Sequence, residues 1–215
     1  MASYDLAKKV GLGKGWHNTG TTVATADYDT TLEGIPWWGQ DVSNLDSAGT
    51  PGKLRSNRDV LRLLVRNVCC AGLPPKRLVQ WASGYRGKRV DSLLRLPPDG
   101  TAGVGEVGGV VDEHWPSAGV PYGEMFWLVV KGPALCMTNL VGGAISVGDR
   151  LVAATAATSA STNGITNGGR VRPIDESGAT APLARMMQYA IGVAQSAKTT
   201  DQTNSAILVE MDCKL

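Results

Sequence analysis

The sequence predicts an all-β protein, a compact β-barrel or sandwich of short strands with an extended N-terminal arm. Short apolar runs with alternating periodicity recur along the chain, and Gly, Pro, Asn and Asp separate them. Glycine is frequent, at 27 residues, which is typical of a chain with many turns. Few segments show the 3.6-residue period of an amphipathic helix. We therefore expect two regions, an arm at 1–54 and a β-rich core domain at 55–215.

The predicted strands follow one another at short intervals. The first covers residues 58–70, where a short amphipathic helix is the alternative; the stretch Val65–Cys70 favours a strand. We expect Gly132-Pro133 to interrupt a later strand, and we expect one short helix at Ala181–Tyr189. The remaining strands are predicted at 76–82, 88–96, 105–115, 124–131, 143–155, 170–175, 188–197 and 205–215.

The stretch "GEMFWLVVKGPALCMTN", residues 123–139, has the clearest alternation in the sequence. Side chains point to opposite sides at successive positions of a strand, which gives it two apolar faces. Phe126, Leu128 and Val130 form one face, which we assign to the core. Trp127 and Val129 form the other, which we expect to face another subunit.

Composition excludes several classes of protein. Hydrophobic residues make up 43% and charged residues 19% of the 215 residues, which is typical of a globular protein. No apolar run approaches the roughly 20 residues of a membrane helix, and the first residues lack the apolar core of a secretion signal. The four cysteines and two histidines fit no zinc-ligand spacing, so we predict no metal and no cofactor.

Catalytic motifs are weak or incomplete. The glycine-rich stretch "GLGKGWHNTGTT", residues 11–22, lacks the Gly-Lys-Ser/Thr ending of a phosphate-binding loop. His114 follows Asp112 and Glu113, but adjacent residues on a strand point to opposite sides, so a catalytic triad would need partners from elsewhere in the chain. We therefore predict that the protein is not an enzyme.

The predicted arm has a loop-like composition and yet carries three of the six tryptophans. Large aromatic side chains contribute strongly to protein interfaces. We predict that Trp16, Tyr28, Trp37 and Trp38 anchor the arm at an interface; packing onto its own domain is the alternative.

Charge is divided unevenly along the chain. Residues 53–95 hold 11 Lys or Arg against two acids, a net charge of +9, whereas residues 15–52 hold five acids and no Lys or Arg. Such a division indicates that one segment meets a complementary surface, within its own chain, on another copy or on a partner. The acids predicted to take part are Asp27, Asp29 and Glu33, and their candidate partners are Arg58, Arg62 and Arg66.

The basic segment also allows a second interpretation, a nucleic-acid-binding β-barrel. "QWASGYRGKR", residues 80–89, places Trp81 and Tyr85 among cations, as in proteins that stack bases on aromatic side chains and bind phosphates with Arg and Lys. The full chain has a formal net charge of only +2 and no recognised nucleic-acid-binding motif, so we rank this interpretation second.

The second half of the chain resembles the capsid cement, or decoration, proteins of tailed phages. The similar elements lie within residues 60–215: "GEVGGVVDEHWPSAGVPYGEMFWLVVKGPALCMTNL", "ISVGDRLVAAT", "GGRVRPI", "AIGVAQSAKTT" and "AILVEM". The resemblance implies a virion protein without catalytic activity that binds the major capsid protein on an assembled shell and stabilises it. It also implies a homo-oligomer, with a trimer favoured. A head fibre base or a tail component is the related alternative.

Overall fold

The computed structural model describes ten β-strands within its described residues. The residues it describes are 33–42, 54–69, 72–93, 106–113, 115, 117–138, 144–154, 168–174, 190–199 and 205–213. The strands are β1 (Pro36–Val42), β2 (Leu54–Asn67), β3 (Leu78–Trp81), β4 (Arg89–Leu93), β5 (Val107–Val111), β6 (Met125–Met137), β7 (Arg150–Ala153), β8 (Val171–Pro173), β9 (Gly192–Ala194) and β10 (Ala206–Asp212). All belong to one sheet, in the order β1-β2-β4-β3-β5-β6-β10-β9-β7-β8.

Five of these strands close into a small barrel. β2 pairs with β4 in parallel, β4 with β3, β3 with β5, β5 with β6, and β6 returns to β2, the last four pairs being antiparallel. Closure pairs the edges of these strands with one another, which leaves fewer backbone groups open to other chains. Alternate side chains of β2 and β6 fill the interior, because the side-chain period of a strand is two. The interior side chains of these two strands are Leu61, Leu63, Val65, Phe126, Leu128 and Val130.

The second half of β6 belongs to a second ring of strands. β6 pairs with β10, β10 with β9, β9 with β7 and β7 with β8, and a bridge between Thr138 and Val171 leads back to the end of β6. A second apolar cluster lies here, and outward-facing residues of the first barrel contribute to it, among them Val60, Val110 and Val129. Strand β6 therefore holds both cores together.

The expected interruption at Gly132-Pro133 is not observed, because β6 runs unbroken for 13 residues. Gly132 has a φ of +93°, and a β-bulge shifts the register between β2 and β6 next to it. A glycine there bends the strand without ending it. Pro133 lies opposite Glu210 on β10 and ends no pairing.

The all-β prediction is confirmed for the part of the chain that the structure describes. The stretch at 58–70 is a strand and not a helix, and each of the other predicted strands overlaps an observed one, although β6 runs six residues beyond the predicted end at 131. The helix expected at Ala181–Tyr189 lies outside the described residues. Of the segment predicted as an arm, residues 33–42 are described, and 36–42 pair with β2 as an edge strand of the sheet.

Candidate interaction surface

The basic segment forms ion pairs with acids from other parts of the same chain. Among the described residues, five arginines of this segment form ion pairs with acids that lie outside residues 53–95. The pairs are Arg58–Glu210 at 2.7 Å, Arg62–Asp112 at 2.9 Å, Arg66–Glu33, Arg86–Glu106 at 3.3 Å and Arg89–Glu33 at 2.8 Å. The uneven charge along the sequence therefore serves contacts between distant segments of one chain, and it leaves a weaker positive field for a nucleic acid.

Glu33 joins two arginines at one end of the first barrel. Its Oε1 accepts a hydrogen bond from Arg66 Nε, and its Oε2 accepts one from Arg89 Nε at 2.8 Å. The Glu33 side chain is 1% exposed, so both contacts lie in a medium that screens charge poorly. Arg66 Nη1 donates to the Gly123 carbonyl at 3.0 Å, while its buried Nη2 has no acceptor. These contacts tie Glu33, three residues before β1, to the end of β2 and the start of β4.

One aliphatic and two aromatic side chains are exposed on the backbone segments that adjoin this ion-paired group. Ile35 is 40%, Tyr85 47% and Tyr122 58% exposed. Tyr85 packs against Arg89, whose guanidinium carbon lies 4.3 Å from the centre of the ring. Tyr122 directly precedes the residue whose carbonyl binds Arg66. We call Ile35, Tyr85 and Tyr122 the barrel-end surface.

Close backbone packing holds this surface together. A Cβ atom on Gly34 would lie 3.2 Å from the Gly87 carbonyl oxygen, so the chain before β1 lies directly against the turn between β3 and β4. That turn carries Tyr85, and the residue after Gly34 is Ile35. The two side chains therefore project from backbone segments in direct contact.

Arg62 lies on the same face of β2 as Arg66 and is also buried and ion-paired, but it packs against the indole of Trp37. Arg62 Nε donates to Asp112 Oδ2 at 2.9 Å, and its buried Nη1 has no acceptor. Its guanidinium carbon lies 5.5 Å from the ring centre of Trp37, which in turn lies 6.0 Å from the ring of Trp127. Trp127 Nε1 is also buried without an acceptor.

The structure describes some of the predicted interface residues, and these differ in exposure. Trp16, Tyr28, Asp27 and Asp29 lie outside the described residues. Trp38 is 56% exposed on β1, whereas Trp37 is partly buried against its own chain. Val129 is 3% exposed and belongs to the second core, and Trp127 packs on Trp37.

Three predicted charge partners form ion pairs with different acids. Glu33 binds Arg66, as the charge pattern indicated, and the contact lies within one chain. Arg62 binds Asp112 and Arg58 binds Glu210, neither of which the charge pattern had indicated.

Sequence reasoning missed most of the barrel-end surface. The sequence indicates Tyr85 only as a base-stacking candidate together with Trp81. The structure separates the two, because Trp81 is 4% exposed and fills the barrel while Tyr85 lies outside. Ile35 has no sequence signal of its own, and for Tyr122 the Pro-Tyr-Gly turn before β6 is the one indication of exposure.

Within the described residues, the ionisable and nucleophilic side chains form no recognised catalytic arrangement. Within that region no group of three His, Cys, Asp or Glu side chains could hold a metal ion, and no helix has the length and hydropathy to cross a bilayer. Burial raises the pKa of the Cys213 thiol to about 12, with Asp212 contributing, so this thiol is protonated at neutral pH. Both histidines, His17 and His114, lie outside the described residues.

No protein-family model matches the chain, and no curated protein matches it. Among solved structures, the chain is similar to the N base of the head fibre protein gp8.5 of bacteriophage phi29. The TM-score is 0.38 and the sequence identity 15%, over 73% of this chain and 98% of that chain. A score and an identity this low do not assign a function.

Proposed function

We propose that this protein is a structural component of a tailed-phage head, a cement protein that binds the assembled shell and stabilises it. The observation that supports the proposal best is the barrel-end surface, in which one aliphatic and two aromatic side chains are exposed on the segments that the buried Glu33 ion pairs hold together. The resemblance of residues 60–215 to capsid cement proteins supplies the identity of the partner, the major capsid protein.

The physical requirements of a cement protein agree with this architecture. A protein that binds the assembled shell and not its free subunits stabilises the shell by mass action. Binding is tighter when the surface is already ordered, because less conformational entropy is lost. Here the exposed side chains belong to segments that are fixed by hydrogen bonds of Gly34 to Leu64, of Asn67 to Glu124 and of Gly123 to Asn67.

Isolated heads that lack this protein provide the test. Purified protein is added to them, and both its stoichiometry on the heads and the survival of the heads on heating are measured. We expect stoichiometric binding and a higher temperature of head disruption. The double variant Tyr85→Ser/Tyr122→Ser is expected to bind at least about tenfold more weakly, because truncated aromatic anchors lose most of their interface contribution.

Val147→Ser is the matched control. Val147 is 64% exposed in the turn before β7, a strand of the second ring. Its replacement removes an exposed apolar side chain that does not belong to the barrel-end surface. We expect unchanged binding. The proposal fails if wild-type protein does not bind heads or leaves their thermal disruption unaltered.

A further inference from the structure

Strand β1 lies at one edge of the sheet, and among the described residues only β2 pairs with it. An edge strand presents backbone N–H and C=O groups to which a strand of another chain can add, and native proteins usually block such an edge with Lys, Pro or a bulge. Here Pro36 begins the strand and a bulge lies between Gln40 and Val42. The residues between Pro36 and the bulge have no such protection.

The backbone groups of Trp38 and Gln40 point away from β2. The N–H of Leu64 donates to the carbonyl of Ile35, so these two residues form a hydrogen-bonded pair of the antiparallel ladder. Such pairs recur at every second residue, so Gly39 also bonds to β2. The N–H and C=O groups of Trp38 and Gln40 therefore face the open side of the strand.

The exposed side chains of β1 carry no charge. Trp38 is 56% exposed, Pro36 and Gln40 are exposed as well, and no ionisable residue occurs from Gly34 to Gln40. A partner that binds through ion pairs has no counter-charge on this strand. Two copies of the strand, by contrast, meet without like-charge repulsion, and aromatic side chains directly opposite each other stabilise an antiparallel pair.

We propose that two copies of this protein associate through β1, the strands pairing antiparallel with Trp38 opposite Trp38 of the partner subunit. Each copy then donates the N–H groups of Trp38 and Gln40 to the partner's carbonyls at positions 38 and 36. Pro36 has no N–H, so this register leaves no unpaired donor at the start of the strand. A twofold contact uses the edge of both copies at once, so it closes and forms no fibre.

The paired segment is short, so we expect a weak association that depends on concentration. Copies bound side by side on one shell have a high effective concentration, at which a weak contact of this kind is occupied. The inference concerns the free protein as well, and it does not depend on binding to heads.

Gln40→Pro tests the pairing, and Gln40→Ala at the same position is its matched control. Proline removes the N–H that faces the open edge and leaves the ladder with β2 intact, whereas alanine shortens the side chain and keeps the N–H. Sedimentation velocity of the full chain at concentrations up to about 1 mM measures the dimer dissociation constant. We expect equal constants for the wild type and Gln40→Ala, and a constant at least about tenfold higher for Gln40→Pro, because two symmetric hydrogen bonds are lost.

Amide hydrogen exchange identifies the surface through which the copies associate. As the protein concentration rises, the amides of Trp38 and Gln40 should exchange more slowly, because they become hydrogen-bonded in the dimer. The amide of Gly39 is already bonded to β2 and should keep its rate. A dimer in which Trp38 and Gln40 gain no protection uses another surface and contradicts the inference.

Trp38→Lys keeps the test decisive if Gln40→Pro does not fold. It places two like charges opposite each other in the proposed register and should abolish the dimer, whereas Val147→Lys, a change at an exposed apolar residue elsewhere, should not.

Three other outcomes overturn the inference. The first is a wild-type protein that stays monomeric at about 1 mM. The second is a trimer, which the resemblance to cement proteins implies and which has no twofold axis. The third is a monomeric wild type that binds isolated heads while Gln40→Pro alone loses that binding; the edge then takes a strand of the capsid protein, and the proposed function stands. Failure of the wild type to bind heads contradicts the proposed function and leaves a measured β1 dimer valid.

Discussion

Gly132 shows how one residue determines the geometry of β6, the strand that the first barrel and the second ring share. Its φ of +93° lies in the left-handed region, and a Cβ atom there would stand 2.4 Å from the Asp59 carbonyl oxygen. No side chain fits that distance, so only glycine allows β2 and β6 to approach at this point. The bend occurs where β6 leaves β2 and begins to pair with β10.

We therefore expect Gly132→Ala to destabilise the protein by roughly 3 kcal/mol or more, since the backbone must shift as well as adopt a strained φ. Gly148→Ala is the control, because Gly148 has a φ of +94° but no atom within 4 Å of its Cβ position. It should lose only about 1–2 kcal/mol, the cost of the dihedral angle. Urea unfolding midpoints measure both; equal losses would show that the contact with Asp59 does not matter.

The strands show which part of the fold the sequence could predict. The two faces of β6 follow from alternation alone, and Phe126, Leu128 and Val130 do line the barrel. Closure of the barrel does not follow, because it depends on a parallel pairing of β2 with β4 that spans separate segments of sequence. Nor does the exposure of Tyr122, which depends on how the turn before β6 packs.

The Arg66–Glu33–Arg89 group is a contact between elements, joining the entry to β1 with β2 and β4. We expect Glu33→Gln to destabilise the protein by about 3 kcal/mol, because two arginines lose a carboxylate that is 1% exposed. Glu210→Gln, which breaks the pair with the 59% exposed Arg58, should cost at most about 1 kcal/mol. Equal shifts of the urea midpoint for the two variants would contradict a buried ionic anchor.

At the scale of the whole molecule, the question is whether the two cores unfold together. β6 contributes Leu128 to the first and Ala134 and Cys136 to the second, and Val129 extends from the first barrel into the second core. A strand cannot lose one set of partners and keep its register with the other without exposing apolar surface. The fold therefore predicts one cooperative unfolding transition for the described core.

Leu151→Ala tests this prediction in the second core, far along the chain from every tryptophan. Leu151 is fully buried on β7, and its truncation should cost about 2–5 kcal/mol. All six tryptophans lie between residues 16 and 127, so their fluorescence reports on that part of the chain and not on β7 to β10. If the cores are coupled, the fluorescence midpoint and the far-ultraviolet circular dichroism midpoint fall together in urea. If fluorescence keeps the wild-type midpoint while circular dichroism shows two steps, the second ring unfolds alone and β6 does not transmit stability between the cores.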